Sequence, residues 1–257
     1  MNQTFSLDNK TALVTGGASG IGKAIATELA ELGAYVLIHD INEMGQEVAK
    51  NLGGIFLKAD FSDMNQTREL AQNLLKRRGS VDILTNNAGF QHMSTVEDFP
   101  EDTWAKLIQV LLVAPFQLTK YLVPGMKEKG WGRIINMSSI HGLVASPYKS
   151  AYVAAKHGLI GFTKTVAIEV GSDNITVNAI CPTFTRTPLV ERQIGEQAEI
   201  LGISKESVVQ DVMLGAAAIK RLVEPEEVAK LACYLVSEDA KSITGAAFPI
   251  DAGWTAR

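Results

Sequence analysis

The stretch Thr11-Ala12-Leu13-Val14-Thr15-Gly16-Gly17-Ala18-Ser19-Gly20-Ile21-Gly22 decides the fold. Thr11–Thr15 is a short apolar run with strand character, and Ile21–Leu32 has helical spacing. Between them, Gly16, Gly20 and Gly22 punctuate a strand-to-helix turn. Glycine takes positive φ without strain and lets a phosphate approach the backbone. The following helix aims its free N–H groups and positive dipole end at the same place. Such a turn predicts a dinucleotide pyrophosphate site around Gly16, Ser19, Gly20, Ile21 and Gly22. By itself it also describes a tight turn with no ligand.

The alternation begun there continues along the chain. Further apolar runs occur at Tyr35–His39, Ile55–Ala59, Val81–Thr85, Arg133–Met137, Thr176–Ile180 and Ala246–Ile250. Helical stretches separate them at Glu43–Asn51, Met64–Arg78, Glu101–Lys129, Ser150–Val170 and Pro225–Ser237. Consecutive apolar positions suit strands covered on both faces. The pattern predicts one doubly wound, parallel, seven-stranded sheet with helices on both faces. Residues 188–222 break the rhythm with a polar, helix-prone insertion after the sixth strand. Ligands of open α/β sheets bind at the carboxyl ends of the strands, so that insertion is placed to form a lid.

Composition excludes several functions. A chain of 257 residues, 46% hydrophobic and 20% charged, suits one globular domain spanning 1–257. Its formal net charge is −4 and its basic residues do not cluster, which argues against nucleic-acid and membrane-surface partners. No uninterrupted apolar run approaches bilayer length. Met1–Lys10 is polar and lacks a signal-peptide core, so a cytoplasmic location is expected. Cys181 and Cys233 have no metal or redox spacing, so reduced buried thiols and no metal are expected.

Asp40 ends the second strand about 20 residues beyond the glycine turn. A carboxylate there accepts hydrogen bonds from ribose hydroxyls and repels a 2′-phosphate, which favours NAD over NADP. His39 reads as a strand residue. Asp60 and Phe61 end the third strand, where they serve either the adenine or a helix N-cap. Asn86-Asn87-Ala88-Gly89 ends the fourth; its small residues admit a ribose and its Asn side chains can brace a neighbouring strand.

Tyr152 and Lys156 are four residues apart on a predicted helix and share one face. An ammonium beside a phenol favours the phenolate, as does the positive charge of an oxidised nicotinamide. Ser139 ends the fifth strand, where its hydroxyl can polarise a carbonyl.

Together, Gly16-x-x-x-Gly20-x-Gly22, Asn86-Asn87-Ala88-Gly89, Ser139 and Tyr152-x-x-x-Lys156 resemble the short-chain dehydrogenase/reductase family, from Thr15 to Arg257. That resemblance implies a Rossmann-type fold, a nicotinamide cofactor and a homotetramer. It assigns Tyr152 as acid/base, Lys156 to pKa tuning and the nicotinamide ribose, and Ser139 to the substrate. It also implies that Pro182, Thr183, Thr185 and Thr187 line the nicotinamide side, with a threonine hydroxyl on the carboxamide. One position departs. Counting from Trp104, the asparagine that the family uses to support a proton-relay water is Leu111. Either a backbone carbonyl holds the relay or the proton takes another path.

A narrower resemblance is to the D-3-hydroxybutyrate dehydrogenases. It rests on Asn87–His92, His141–Ser146, Lys149–Gly158, Thr187–Val190 and the closing Gly253–Arg257. It implies a small hydroxy or keto acid, with its carboxylate held by Gln91, His141, Lys149 and Gln193. Trp254 can line the pocket or simply pack. Thr183-Phe184 replaces the Gly-Trp those enzymes tend to show, so the apolar wall differs. Alternatives are a ketoacyl thioester, sugar or cyclic alcohol as substrate, or a cofactor-binding scaffold without turnover.

Overall fold

A computed structural model describes residues 5–256. Met1–Thr4, which begin the polar N-terminus, and Arg257, which ends the Gly253–Arg257 match, lie outside the described residues.

The first half runs β1 (Thr11–Thr15), α1 (Gly20–Glu31), β2 (Tyr35–Asp40), α2 (Met44–Asn51), β3 (Ile55–Lys58), α3 (Met64–Arg78) and β4 (Ile83–Asn86). After a loop come α4 (Glu101–Ile108), α5 (Ala114–Lys129), β5 (Gly132–Met137), α6 (Ser150–Val170) and β6 (Ile175–Pro182). The insertion supplies α7 (Pro188–Leu201) and the short α8 (Lys205–Ser207), before α9 (Pro225–Val236) and β7 (Ala247–Ile250).

The strands form one parallel sheet in the order β3-β2-β1-β4-β5-β6-β7. Strand order reverses direction between β1 and β4, which opens a crevice at their carboxyl ends. One face buries Ile25, Leu29, Val48 and Val228 from α1, α2 and α9. The other buries Leu70, Leu74, Leu118 and Val166 from α3, α5 and α6. The central strands β4, β5 and β6 are buried at every position. The edge strand β3 is not: Ile55 and Lys58 are exposed, since nothing pairs beyond it.

The expected continuous helix Glu101–Lys129 is interrupted at Gln109–Val113 by a π-helical turn in which Ala114 N–H bonds the Gln109 carbonyl. Pro115 explains it: its ring would strike the carbonyl four residues back, at Leu111, in an uninterrupted α-helix. The 29-residue span is long and apolar enough to cross a bilayer. Here its apolar side packs on α3 and α6, as a core helix does.

Candidate active site

A cavity of about 730 Å³ runs along the carboxyl edge of the sheet, between the glycine turn, the ends of β2 to β6 and α7. Gly16 has φ 65, and a Cβ there would stand 2.8 Å from the Ala88 Cα. Gly20 has φ 53 and faces the Thr187 methyl, 2.9 Å from where its Cβ would be. The turn therefore forms a bare backbone cradle with the start of α7 lying over it. Gly16, Ser19, Gly20 and Ile21 line the cavity, but Gly22 does not. A side chain at Gly22 would collide with the Gly16 carbonyl and Asn87. Gly22 thus serves the close packing of helix on turn, not the phosphate.

Asp40 lines the cavity with a fixed carboxylate. One oxygen accepts from Ala18 N at 3.0 Å, the other from Asn42 N at 2.9 Å. Asp60 and Phe61 line the same end. Asp60 caps the Ser62 N–H, whereas the N-cap of α3 is Asp63. Phe61 stacks on His39 with ring centres 3.7 Å apart. His39, which reads as a plain strand residue, also lines the cavity. Burial pushes its imidazole down to about 4, so it is neutral. The Asn side chains at the end of β4 act as braces. Asn86 donates to Asn136 at 2.8 Å, and Asn87 donates to the Thr15 and Gly16 carbonyls. Ala88 and Gly89 supply the open surface beside them.

Ser139, Tyr152 and Lys156 meet at the other end. Ser139 Oγ accepts from His141 N at 3.2 Å, and Ser139 and Tyr152 line the same cavity. Lys156 Nζ donates to the Met137 carbonyl at 2.6 Å and lies 5.5 Å from the centre of the Tyr152 ring. The direction for Tyr152 in this state is the opposite of the lowering expected from Lys156. Burial raises the phenol above its ordinary value, with the Ser139 side chain opposing it. Burial also lowers Lys156 to about 8. A low-dielectric site penalises both charged forms.

Gln91, His141, Lys149 and Gln193 also converge on the cavity. Gln193 Nε2, from α7, donates to Gln91 Oε1 at 2.9 Å across 102 positions of sequence. The Gln91 Nε2 is buried with no partner among the described residues. Lys149 is 3% exposed. Among the described residues no carboxylate lies within ion-pair distance of it, and its Nζ sits 5.4 Å from the centre of the Phe184 ring. Burial lowers it to about 8. His141 is lowered to about 4, first by burial and then by Lys149, and so is a neutral hydrogen-bonding group. Its ring meets Tyr152 and Trp254 edge-on at 6.1 and 6.3 Å. Trp254 packs behind His141 and does not line the cavity.

Pro182, Thr183, Thr185 and Thr187 line the cavity beside Tyr152. Thr185 Oγ1 donates to the Thr183 carbonyl, and Thr187 Oγ1 accepts from Val190 N as the cap of α7. Only the Thr183 hydroxyl of the three has no partner among the described residues. Leu111 is buried on the cavity wall and packs against Gly89. Val110, Phe90, Phe184 and Arg192 also line it. Phe184 carried a sequence signal as a departure from Gly-Trp; Arg192 carried none.

The cradle, the fixed carboxylate at Asp40 and the Ser-Tyr-Lys group fit a nicotinamide dinucleotide lying along the sheet edge. They define an oxidoreductase that moves a hydride to or from that cofactor. A family model described as enoyl-(acyl carrier protein) reductase matches residues 16–255. The chain belongs to the short-chain dehydrogenase/reductase family. It is 47% identical to a D-beta-hydroxybutyrate dehydrogenase of Rhizobium meliloti over 256 residues, 96% of this chain and 99% of the relative. It is 43% identical to the protein of that name from Cupriavidus necator, over 98% and 100% of the two chains. A crystal structure from Beutenbergia cavernae, described as an NAD(P)-dependent gluconate 5-dehydrogenase with NADP at low occupancy, superposes with a TM-score of 0.90. Identity to that protein is 29%, and coverage is 99% and 100%.

Proposed function

We propose that the chain interconverts (R)-3-hydroxybutyrate and acetoacetate using NAD, with Tyr152 as acid/base. The observation that carries this is Lys149, a lysine 3% exposed with no carboxylate partner among the described residues, lining the same cavity as Gln91. Burying a charge without a counter-charge is costly, so the site asks for an anion from outside. A short acid offers a carboxylate, and a charge-assisted bond from Lys149 outweighs the neutral bonds from Gln91, Gln193 and His141. The names of the two bacterial relatives support the same substrate.

Tyr152 removes the hydroxyl proton from C3 of the acid, and returns it to the ketone oxygen in the reverse direction. Ser139 holds that oxygen through its hydroxyl. Lys156 would hold the nicotinamide ribose, and the Thr183 hydroxyl, which has no partner among the described residues, would be available to the carboxamide. A bound nicotinamide would supply the hydride acceptor for C3 of the acid, and the donor in the reverse direction. The Gln91–Gln193 bond holds α7 over the cavity, and closure excludes water and strengthens each polar contact. Asp40 supports NAD over NADP, because a carboxylate held by Ala18 N and Asn42 N at the end of β2 would accept from ribose hydroxyls and repel a 2′-phosphate. In the same reading the enzyme is a homotetramer, and Phe116 and Ile168, exposed on α5 and α6, supply apolar surface for it.

The test is turnover by the purified enzyme of a panel of hydroxy acids and neutral alcohols, with each dinucleotide. Rapid NAD-dependent oxidation of (R)-3-hydroxybutyrate is expected. Turnover of neutral alcohols alone would refute the assignment.

A further inference from the structure

Phe184 stands where the insertion leaves the sheet. Its carbonyl accepts from Val223 N at 3.1 Å, Arg186 N donates to the Val223 carbonyl at 2.8 Å, and Thr185 bridges Val223 in parallel. The outgoing and returning strands of the insertion are therefore stapled together at this residue. From that root the ring packs against two clusters at once. One is Val190 and Ile194 of α7 with Val208 and Met213; the other is Leu214, Ala217 and Leu222. A third side of the ring lines the cavity and faces the Lys149 ammonium.

A buried ammonium without an anion needs some compensation, and the face of an aromatic ring carries a negative potential that supplies part of it. An aliphatic side chain would fill the volume but carry no such face.

We propose that Phe184 is a positioning residue for acid recognition: its ring face holds the Lys149 ammonium in the cavity, and its wedge between both halves of the insertion ties that ammonium to the closed lid. This rests on Lys149 binding the substrate carboxylate.

The experiment replaces Phe184 with phenylalanines carrying increasing numbers of ring fluorines, which preserve shape while draining the ring face. Phe184→Leu and Phe184→Trp accompany them. KM and kcat for (R)-3-hydroxybutyrate are measured with NAD, and NADH affinity by its fluorescence. KM is expected to climb with fluorination, by about 5- to 30-fold for the fully fluorinated ring. NADH affinity and kcat should stay within about twofold, Phe184→Leu should match the fluorinated ring, and Phe184→Trp should retain low KM. In a Lys149→Met background the fluorine dependence should vanish. A flat series, a dependence that survives Lys149→Met, or a parallel loss of NADH affinity would each overturn the proposal. Failure of the underlying reading looks different: Lys149→Met would then leave KM unchanged.

Discussion

Lys149→Met should raise KM for (R)-3-hydroxybutyrate while making the ligand-free protein more stable. Methionine matches the stem of lysine and removes only the charge. The lost bond is charge-assisted and shielded from water, a class worth about 1.5–3 kcal/mol. That corresponds to a rise in KM of about 10- to 150-fold, with kcat changed far less. Stability should move the other way. Burial lowers the Lys149 ammonium from 10.5 to about 8, which corresponds to about 3 kcal/mol held against folding at neutral pH. The unfolded chain binds the extra proton between about 8 and 10.5, so stability rises with pH across that window. The cost is in full force below about 8. Removing the amine should therefore raise Tm by about 5 °C at pH 7, and by less at pH 10. Steady-state NADH absorbance measures the first effect and scanning calorimetry the second. An unchanged KM together with a lower Tm would show that Lys149 is a structural cation, and the carboxylate argument would fail.

The other predictions are narrower. Tyr152→Phe should lower kcat by about 10²- to 10⁴-fold with NADH affinity retained; wild-type turnover would remove the acid/base assignment. Asp40→Ser should improve NADP use relative to NAD by tenfold or more, about one charge–charge contact at the surface, read as the ratio of kcat/KM values; an unchanged ratio would place cofactor choice elsewhere. KM for the acid should be level near neutrality and rise above pH of about 8, as Lys149 loses its proton. His141, lowered to about 4, should add no step between pH 5 and 8, and a step there that disappears in His141→Gln would contradict its neutral role. Leu111→Asn should destabilise the fold by about 2 kcal/mol or more, by opening a void against Gly89 and burying an amide, as denaturant titration would show.

The fold was legible because parallel strands must be apolar on both faces while helices are apolar on one. Met64–Arg78 and Ser150–Val170 begin and end in the structure where the periodicity placed them. Glu101–Lys129 was less legible. A period of 3.6 cannot register one extra residue in a turn, and the sign was Pro115, whose effect falls four residues back at Leu111. The glycine turn was half legible. Spacing marked Gly16, Gly20 and Gly22 alike, yet only packing separates a glycine that bares backbone from one that lets a helix sit close. His39 shows the reverse limit. Alternation along β2 gives its side of the sheet, but the ring stack with Phe61 depends on β3 ending alongside it. Gln193 sits on α7, and its bond to Gln91 is a matter of how the insertion folds back.

Charge is what the sequence least disclosed, because it depends on burial. Tyr152 beside Lys156 reads as an acidified phenol, whereas in the structure each group is pushed toward its neutral form. Lys149 and His141 are pushed the same way. Burial thus disfavours the charged forms of Tyr152, Lys156, Lys149 and His141, and two ligands of opposite sign would act on two of them in opposite senses. A carboxylate at Lys149 restores that ammonium's affinity for its proton, so at pH 9 acid binding should take up protons. An oxidised nicotinamide next to Tyr152 works in the opposite sense and should release them. The two linkages have different signs and different residues, so proton release or uptake followed with a pH indicator can separate them. Lys149→Met should abolish the uptake and leave the release intact. If both disappeared together, the two ends of the cavity would form one coupled titration, and separate roles for Lys149 and Tyr152 could not be maintained.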